Sequence, residues 1–276
     1  MQRTNRTSRA VLARISGTHE TRAGAHGALS VRIVTTGSLD AHVYSLAGPH
    51  TTSVTPVFVL LHGIGMSHRY YRRLQQILAA HGDVHSFDLP GFGAAAKPDR
   101  QISVAEYAAV IAGTLDKLGA GPVVVVGHSM GTQFATELAL IRPDLVSHVV
   151  LIGPVVDSAR RSVLLQALKL GVNSLTESPA GNAIVFTDYV RSGMRWYLTE
   201  LPIMMSYDLE ARLIRIAQPV LVIRGSRDPV APRSWCQKLA AIATRGRFLE
   251  IQGKPHIVQH GAAARTAAGI QTFIHS

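Results

Sequence analysis

The sequence predicts an α/β fold, a mostly parallel central sheet with helices on both faces, interrupted once by a helical insertion. Three observations carry that expectation. Short β-like runs alternate with helix-like ones from about residue 30 to the C-terminus. The strand runs are short, bounded apolar stretches such as VFVLL at 57–61 and VVVV at 123–126, as expected of buried strands. Residues 154–217 carry no strand signal at all. With 276 residues, 47% hydrophobic and 16% charged, the chain has the composition of a compact globular protein. Its apolar runs fall far short of the roughly 18 residues a membrane span needs.

Taken in order, SVRIVTT (30–36) and DAHVYSLAG (40–48) flank Gly37 and Ser38 and predict a hairpin. PVFVLLHGIG (56–65) predicts a strand that runs into a glycine-rich loop, and YYRRLQQILAAHG (70–82) a helix with Leu74, Ile77 and Leu78 on one face, ending at Gly82. DVHSFDLPGFG (83–93) is a second strand and loop; in SVAEYAAVIAGTLDKLG (103–119) Ser103 and Glu106 form a capping box at the head of an amphipathic helix. VVVVG, the helix GTQFATELALIRP (131–143) and the strand VSHVVLIGP (146–154) follow. The chain closes with strand PVLVIRGS (219–226), helix SWCQKLAAIA (234–243), strand GRFLEIQG (246–253) and helix HGAAARTAAGIQTFI (260–274). Within 154–217, SVLLQALKLG (162–171), NAIVFTDYVRSGMRWYL (182–198) and IMMSYDLEARLIRI (203–216) read as short helices of a lid. The domain reading is a basic mobile arm over 1–28, a core over 29–153 and 218–276, and a cap over 154–217.

The formal net charge is +11, and six of the arginines fall in the first 32 residues. The remaining basic residues scatter, HRYYRR at 68–73 being the densest group, without a basic helix face or aromatic–basic alternation. That distribution argues against a nucleic-acid partner. The basic N-terminus lacks the continuous apolar core of a secretion signal, and the single cysteine, Cys236, excludes an intrachain disulfide; both fit a cytoplasmic location.

Gly127-His128-Ser129-Met130-Gly131 stands directly after a buried strand and before a helix. There the glycines permit a tight turn that exposes the serine, the arrangement of a nucleophile elbow. A serine hydroxyl needs a base, and histidine is the side chain whose pKa lies near neutrality; an acid must then fix the imidazole's tautomer. His256, His260 and His275 follow the last strand; His256 is the preferred base, since His260 opens the closing helix and His275 ends the chain. Asp228 is the preferred acid, with Asp157 the alternative. His128 is expected to point away from its neighbour.

Five stretches give the chain a resemblance to the α/β-hydrolase family: LLHGIG (60–65), DLPGFG (88–93), GHSMG (127–131), GSRDPV (225–230) and GKPHIV (253–258), in the family's order. The resemblance implies the α/β-hydrolase fold with a helical cap, and a triad of Ser129, Asp228 and His256. It places oxyanion donors at the backbone N–H of Ile64 and Met130. It makes His62, Asp88 and the DLPGFG glycines loop architecture. Thr132 stands where relatives often carry another glycine and would tighten the helix start. Phe186, Met194, Trp196, Tyr197, Met204 and Met205 offer a lipophilic pocket wall. The expected activity is hydrolysis of a small lipophilic ester, thioester or lactone through an acyl-enzyme. Carbon–carbon bond hydrolysis, perhydrolysis, acyl transfer or noncatalytic ligand binding are the alternatives. No metal or cofactor is expected, because GIG and GFG lack the third glycine and later acid of a dinucleotide site.

Overall fold

A computed structural model describes residues 15–23, 28–49, 55–157, 173 and 177–276. Among them, nine strands form one sheet: β1 Ile15–Ala23, β2 Ala28–Thr36, β3 Leu39–Leu46, β4 Val57–Leu61, β5 Asp83–Asp88, β6 Val123–His128, β7 Val146–Ile152, β8 Val220–Gly225 and β9 Gly246–Ile251. The order across the sheet is β1-β2-β3-β5-β4-β6-β7-β8-β9. Pairing is antiparallel from β1 to β5 along that order and parallel from there to β9.

The expected arm is corrected over part of its length. Ile15–Ala23 is an edge strand paired antiparallel with β2, and residues 1–14 and 24–27 lie outside the described residues. Its sequence, ISGTHETRA, has no apolar alternation to announce a strand. An edge strand can be held by backbone pairing alone.

The described helices are α1 Arg72–Leu78, α2 Val104–Leu118, α3 Gly131–Ile141, α4 Pro179–Ser192, α5 Met194–Ser206, α6 Leu209–Leu213, α7 Arg233–Ile242, α8 Val258–Gly261 and α9 Ala263–Ile274, with α2, α3 and α7 on one face of the sheet and α1 and α9 on the other. Successive strand side chains face opposite ways, so the four valines of β6 serve two cores. Val123 and Val125 join Tyr107, Ile111, Phe134 and Trp235 of α2, α3 and α7. Val124 and Val126 join Leu74, Leu78, Ile270 and Phe273 of α1 and α9. Both sets are shut off from water, which is why the run is unbroken rather than alternating.

Between β7 and β8 the described chain is helical. The stretch expected as one helix over 182–198 is two, broken at Gly193, whose φ is 75°. The one expected over 203–216 is broken at Asp208, whose carboxylate accepts from the Ala211 N–H at 3.1 Å and so starts α6. The SVLLQALKLG stretch lies wholly outside the described residues. Several hydrogen bonds tie these helices to the sheet domain. Asp188 accepts from Ser67 Oγ at 2.6 Å and from Arg69 at 2.9 Å, and Gln133 Nε2 donates to the Met204 carbonyl at 2.9 Å. Among the described residues no helix is long and apolar enough to cross a membrane.

The capping box is present on α2: Ser103 Oγ accepts the Glu106 N–H at 3.2 Å and Glu106 accepts the Ser103 N–H at 2.8 Å. Ser103→Ala is expected to lower stability by about 1 kcal/mol, read from the shift of the urea midpoint. An unmoved midpoint would show that the box contributes nothing.

Candidate active site

Ser129 sits where β6 turns into α3, with φ at 55°. A left-handed backbone costs a non-glycine residue about 1–2 kcal/mol, and here it is enforced from both sides. A Cβ on Gly127 would lie 2.2 Å from the Gly131 carbonyl oxygen, and one on Gly131 would lie 2.2 Å from that of Leu61 in β4. Only glycines fit. The Ser129 N–H donates to Ile152 at 2.9 Å, and its carbonyl accepts from Thr132 Oγ1 at 2.6 Å, so Thr132 does tighten the turn.

Asp228 and His256 come from the loops after the last two described strands. His256 Nδ1 lies 2.8 Å from Asp228 Oδ2, both side chains buried. Asp228 Oδ1 is taken by the N–H groups of Val230 and Ala231 at 2.8 and 3.0 Å. A carboxylate so placed accepts, so Nδ1 carries the proton and the lone pair of the neutral ring is on Nε2. That Nε2 is buried with no hydrogen-bond partner among the described residues. Burial pulls the His256 pKa down, but the Asp228 charge and hydrogen bond, with the Glu177 charge, outweigh it and leave the pKa raised. Asp157 is not the residue bonded to the imidazole. Ser129 and His256 line one cavity of about 300 Å³.

The loop after β4 closes against the serine: a Cβ on Gly63 would lie 2.9 Å from Ser129 Cβ and 3.3 Å from Oγ. Among the described residues the N–H groups of Ile64 and Met130 have no acceptor. His62 orders this loop, its Nδ1 bonding the Gly63 carbonyl at 2.8 Å and its Nε2 accepting from the Leu89 N–H at 3.1 Å. Asp88 likewise holds its loop through the N–H groups of His68 and Ala94 at 2.7 and 2.9 Å.

A family model for the alpha/beta hydrolase fold matches residues 56–177, the segment that contains β4, the elbow and the start of the insertion. The chain has the α/β-hydrolase fold, and its matched segment is similar to that family. It is 24% identical over 238 residues to an (E)-2-((N-methylformamido)methylene)succinate hydrolase of Acinetobacter baylyi, covering 79% of this chain and 90% of that one. It is 25% identical over 254 residues to a pimeloyl-[acyl-carrier protein] methyl ester esterase of Xanthomonas oryzae pv. oryzae, covering 80% and 96%. Its fold is similar to that of the enol-lactonase from Burkholderia xenovorans, with a TM-score of 0.76, 20% identity and coverage of 88% and 100%.

In this α/β-hydrolase fold the cavity wall differs from the expected one. Met194, Tyr197 and Met204 line it; Phe186, Trp196 and Met205 do not. Trp196 is buried edge-on against Phe92, and Met205 packs on the core. Neighbours on a helix point about 100° apart, so only one of Trp196–Tyr197 and one of Met204–Met205 faces inward. On α4 the inward face is Val185 and Tyr189, which turns Phe186 outward. One end of the cavity is polar. Glu177 accepts from the Ile257 N–H at 2.9 Å and from Asn173 at 3.2 Å, and burial raises its pKa. No lysine or arginine is among the described residues that line the cavity. Nor, among the described residues, do three or more histidine, cysteine, aspartate or glutamate side chains gather as a metal site would require.

Sequence reasoning missed a buried chain beneath the site. The Gly63 N–H donates to Tyr70 Oη at 2.9 Å, Tyr70 Oη lies 2.9 Å from His128 Nδ1, and His128 Nε2 lies 3.3 Å from the His256 carbonyl. A carbonyl only accepts, so Nε2 carries the His128 proton and Tyr70 donates to Nδ1. Burial, and the nearby His256, hold the His128 pKa well below its ordinary value, in keeping with a neutral ring. Both His128 ring nitrogens are engaged away from Ser129, though the residue lines the same cavity; its partner Tyr70 lies 58 positions off, and no local pattern joins them. Tyr70→Phe leaves a buried donor and a buried acceptor unpaired, and is expected to cost about 1–3 kcal/mol in denaturant unfolding. Unchanged stability would mean the chain bears no load.

Proposed function

We propose that this hydrolase cleaves a lipophilic, uncharged carboxylic ester, thioester or lactone through an acyl-enzyme, with Ser129 as nucleophile, His256 as base and Asp228 as the acid that orients it. The observation that carries the reading is the imidazole itself: its Nδ1 is committed to a buried carboxylate, its buried Nε2 has no hydrogen-bond partner among the described residues, and the residue lines the same cavity as Ser129. The relatives named as a methyl ester esterase and an enol-lactonase support the substrate class.

In this mechanism Nε2 takes the hydroxyl proton as Ser129 Oγ attacks the substrate carbonyl carbon. The oxyanion is met by the N–H groups of Ile64 and Met130, each such donor being worth ~10² to 10³ in rate. The carbonyl re-forms, the bond to the alcohol breaks, and the imidazolium gives its proton to the leaving oxygen. Water then repeats the sequence: Nε2 takes its proton, the hydroxide displaces Ser129 Oγ, and the serine regains the proton as the acid departs. The ring passes through its charged form twice, and Asp228 stabilises it each time. At the polar end, the Glu177 carboxyl disfavours a substrate that carries a carboxylate of its own.

A fluorophosphonate probe is expected to label the native chain and not Ser129→Ala, and ester turnover is expected to fall on the order of 10⁶-fold in that variant. Methyl diesters should outpace their half-esters of equal length. A native chain that neither labels nor turns over any ester would overturn the assignment.

The base must be neutral to act. Because the His256 pKa is raised from 6.5, kcat/KM should fall as pH drops through a midpoint above 6.5. Asp228→Asn removes the raising charge and leaves burial to act, so the acid limb should move to lower pH. A native midpoint below 6.5 would contradict the geometry.

A further inference from the structure

The cap side chain that was expected in the pocket and faces solvent instead has company. Phe186, Val190, Met194 and Leu198 are exposed at 69, 65, 67 and 56%. They fall at four-residue spacing, two on α4 and two on α5, one helical face each. Scattered single apolar residues on a surface are ordinary; four large ones on two successive helices are not.

The charges on these two helices are one-sided. Their acids, Asp188 and Glu200, are both buried, the first tied to Ser67 and Arg69. Their bases, Arg191 and Arg195, are both exposed. A third cation joins at the break between the helices, where a Cβ on Gly193 would lie 3.3 Å from Lys97 Nζ. The outward face of α4 and α5 is therefore apolar and cationic, on a chain of net charge +11.

We propose that this face docks on an anionic lipid surface, the apolar side chains entering the headgroup layer and Arg191, Arg195 and Lys97 meeting lipid phosphates. Helices that lie in an interface have this composition, large apolar residues on one side and arginine or lysine beside them with no carboxylate. Met194 argues for lipid over a protein partner. It is exposed and also lines the cavity that holds Ser129 and His256, so the docking face runs into the mouth of the site. A lipophilic substrate could then pass from the bilayer to the cavity without crossing water. Docking is read without turnover, so it stands or falls apart from the assignment of Ser129.

The test is sedimentation of the full chain with vesicles of phosphatidylglycerol and phosphatidylcholine in equal parts, against phosphatidylcholine alone. The parent is expected to bind the anionic vesicles. The double variant Arg191→Gln, Arg195→Gln should lose on the order of tenfold in affinity. The triple variant Phe186→Ser, Val190→Ser, Leu198→Ser should lose at least as much. All five substituted positions are at the surface, and thermal unfolding of each variant checks that its fold persists. Three outcomes overturn the proposal. The parent fails to bind; or both variants bind as the parent does, which assigns the attraction to basic residues elsewhere; or the triple variant instead abolishes a concentration-dependent dimer, which makes the face a contact between two copies of the chain.

Discussion

The site depends on a place where three backbone segments meet with no room for a side chain. The ends of β4 and β6 and the first turn of α3 approach so closely that the Leu61 carbonyl occupies the space a Cβ on Gly131 would need. Because the segments touch through main chain, their spacing does not depend on rotamers. Packing of ordinary side chains would leave the serine and the N–H groups around it free to drift by the fractions of an ångström that catalysis does not tolerate. Held this way, Ser129 keeps a left-handed backbone, and the loop at Gly63 lies directly against it.

Asp228 and His256 are placed by a different principle. Neither lies on a regular element; each sits just beyond a parallel strand, where the chain must turn. What fixes them is hydrogen bonding: Asp228 by two amides on one oxygen and the imidazole on the other, His256 by that carboxylate and by Asn173, which accepts its peptide N–H at 3.0 Å. Beside both, Tyr70 and His128 connect the main chain at Gly63 to the main chain of His256. One half of the site rests on backbone contact, the other on a fully buried polar network, where each unpaired group would be costly.

Most of this was legible in the sequence wherever the signal is local. The valines of β6, the capping box at Ser103 and the glycines around Ser129 each announce their structure within a few residues. The order of the motifs located Asp228 and His256. Residues that depend on distant partners were not legible. Tyr70 reads as the start of a helix, and nothing nearby shows that its hydroxyl meets Gly63 and His128. Glu177 and Asn173 read as a polar stretch before a helix. The edge strand at 15–23 carries no apolar alternation, because its hold is through backbone pairing. The cap residues were half legible. Composition revealed that large apolar side chains were present, but which way each faces turns on where a helix begins, and the breaks at Gly193 and Asp208 reset that phase.

Chain order gives the final β-strand an unequal share of the assembly. The Ser129 turn and the loop at Gly63 belong to segments that end by α3, whereas His256 follows β9, the outermost described strand on its edge of the sheet. The serine turn therefore needs nothing from the later segments for its own shape, and the imidazole reaches the shared cavity only where β9 has paired with β8.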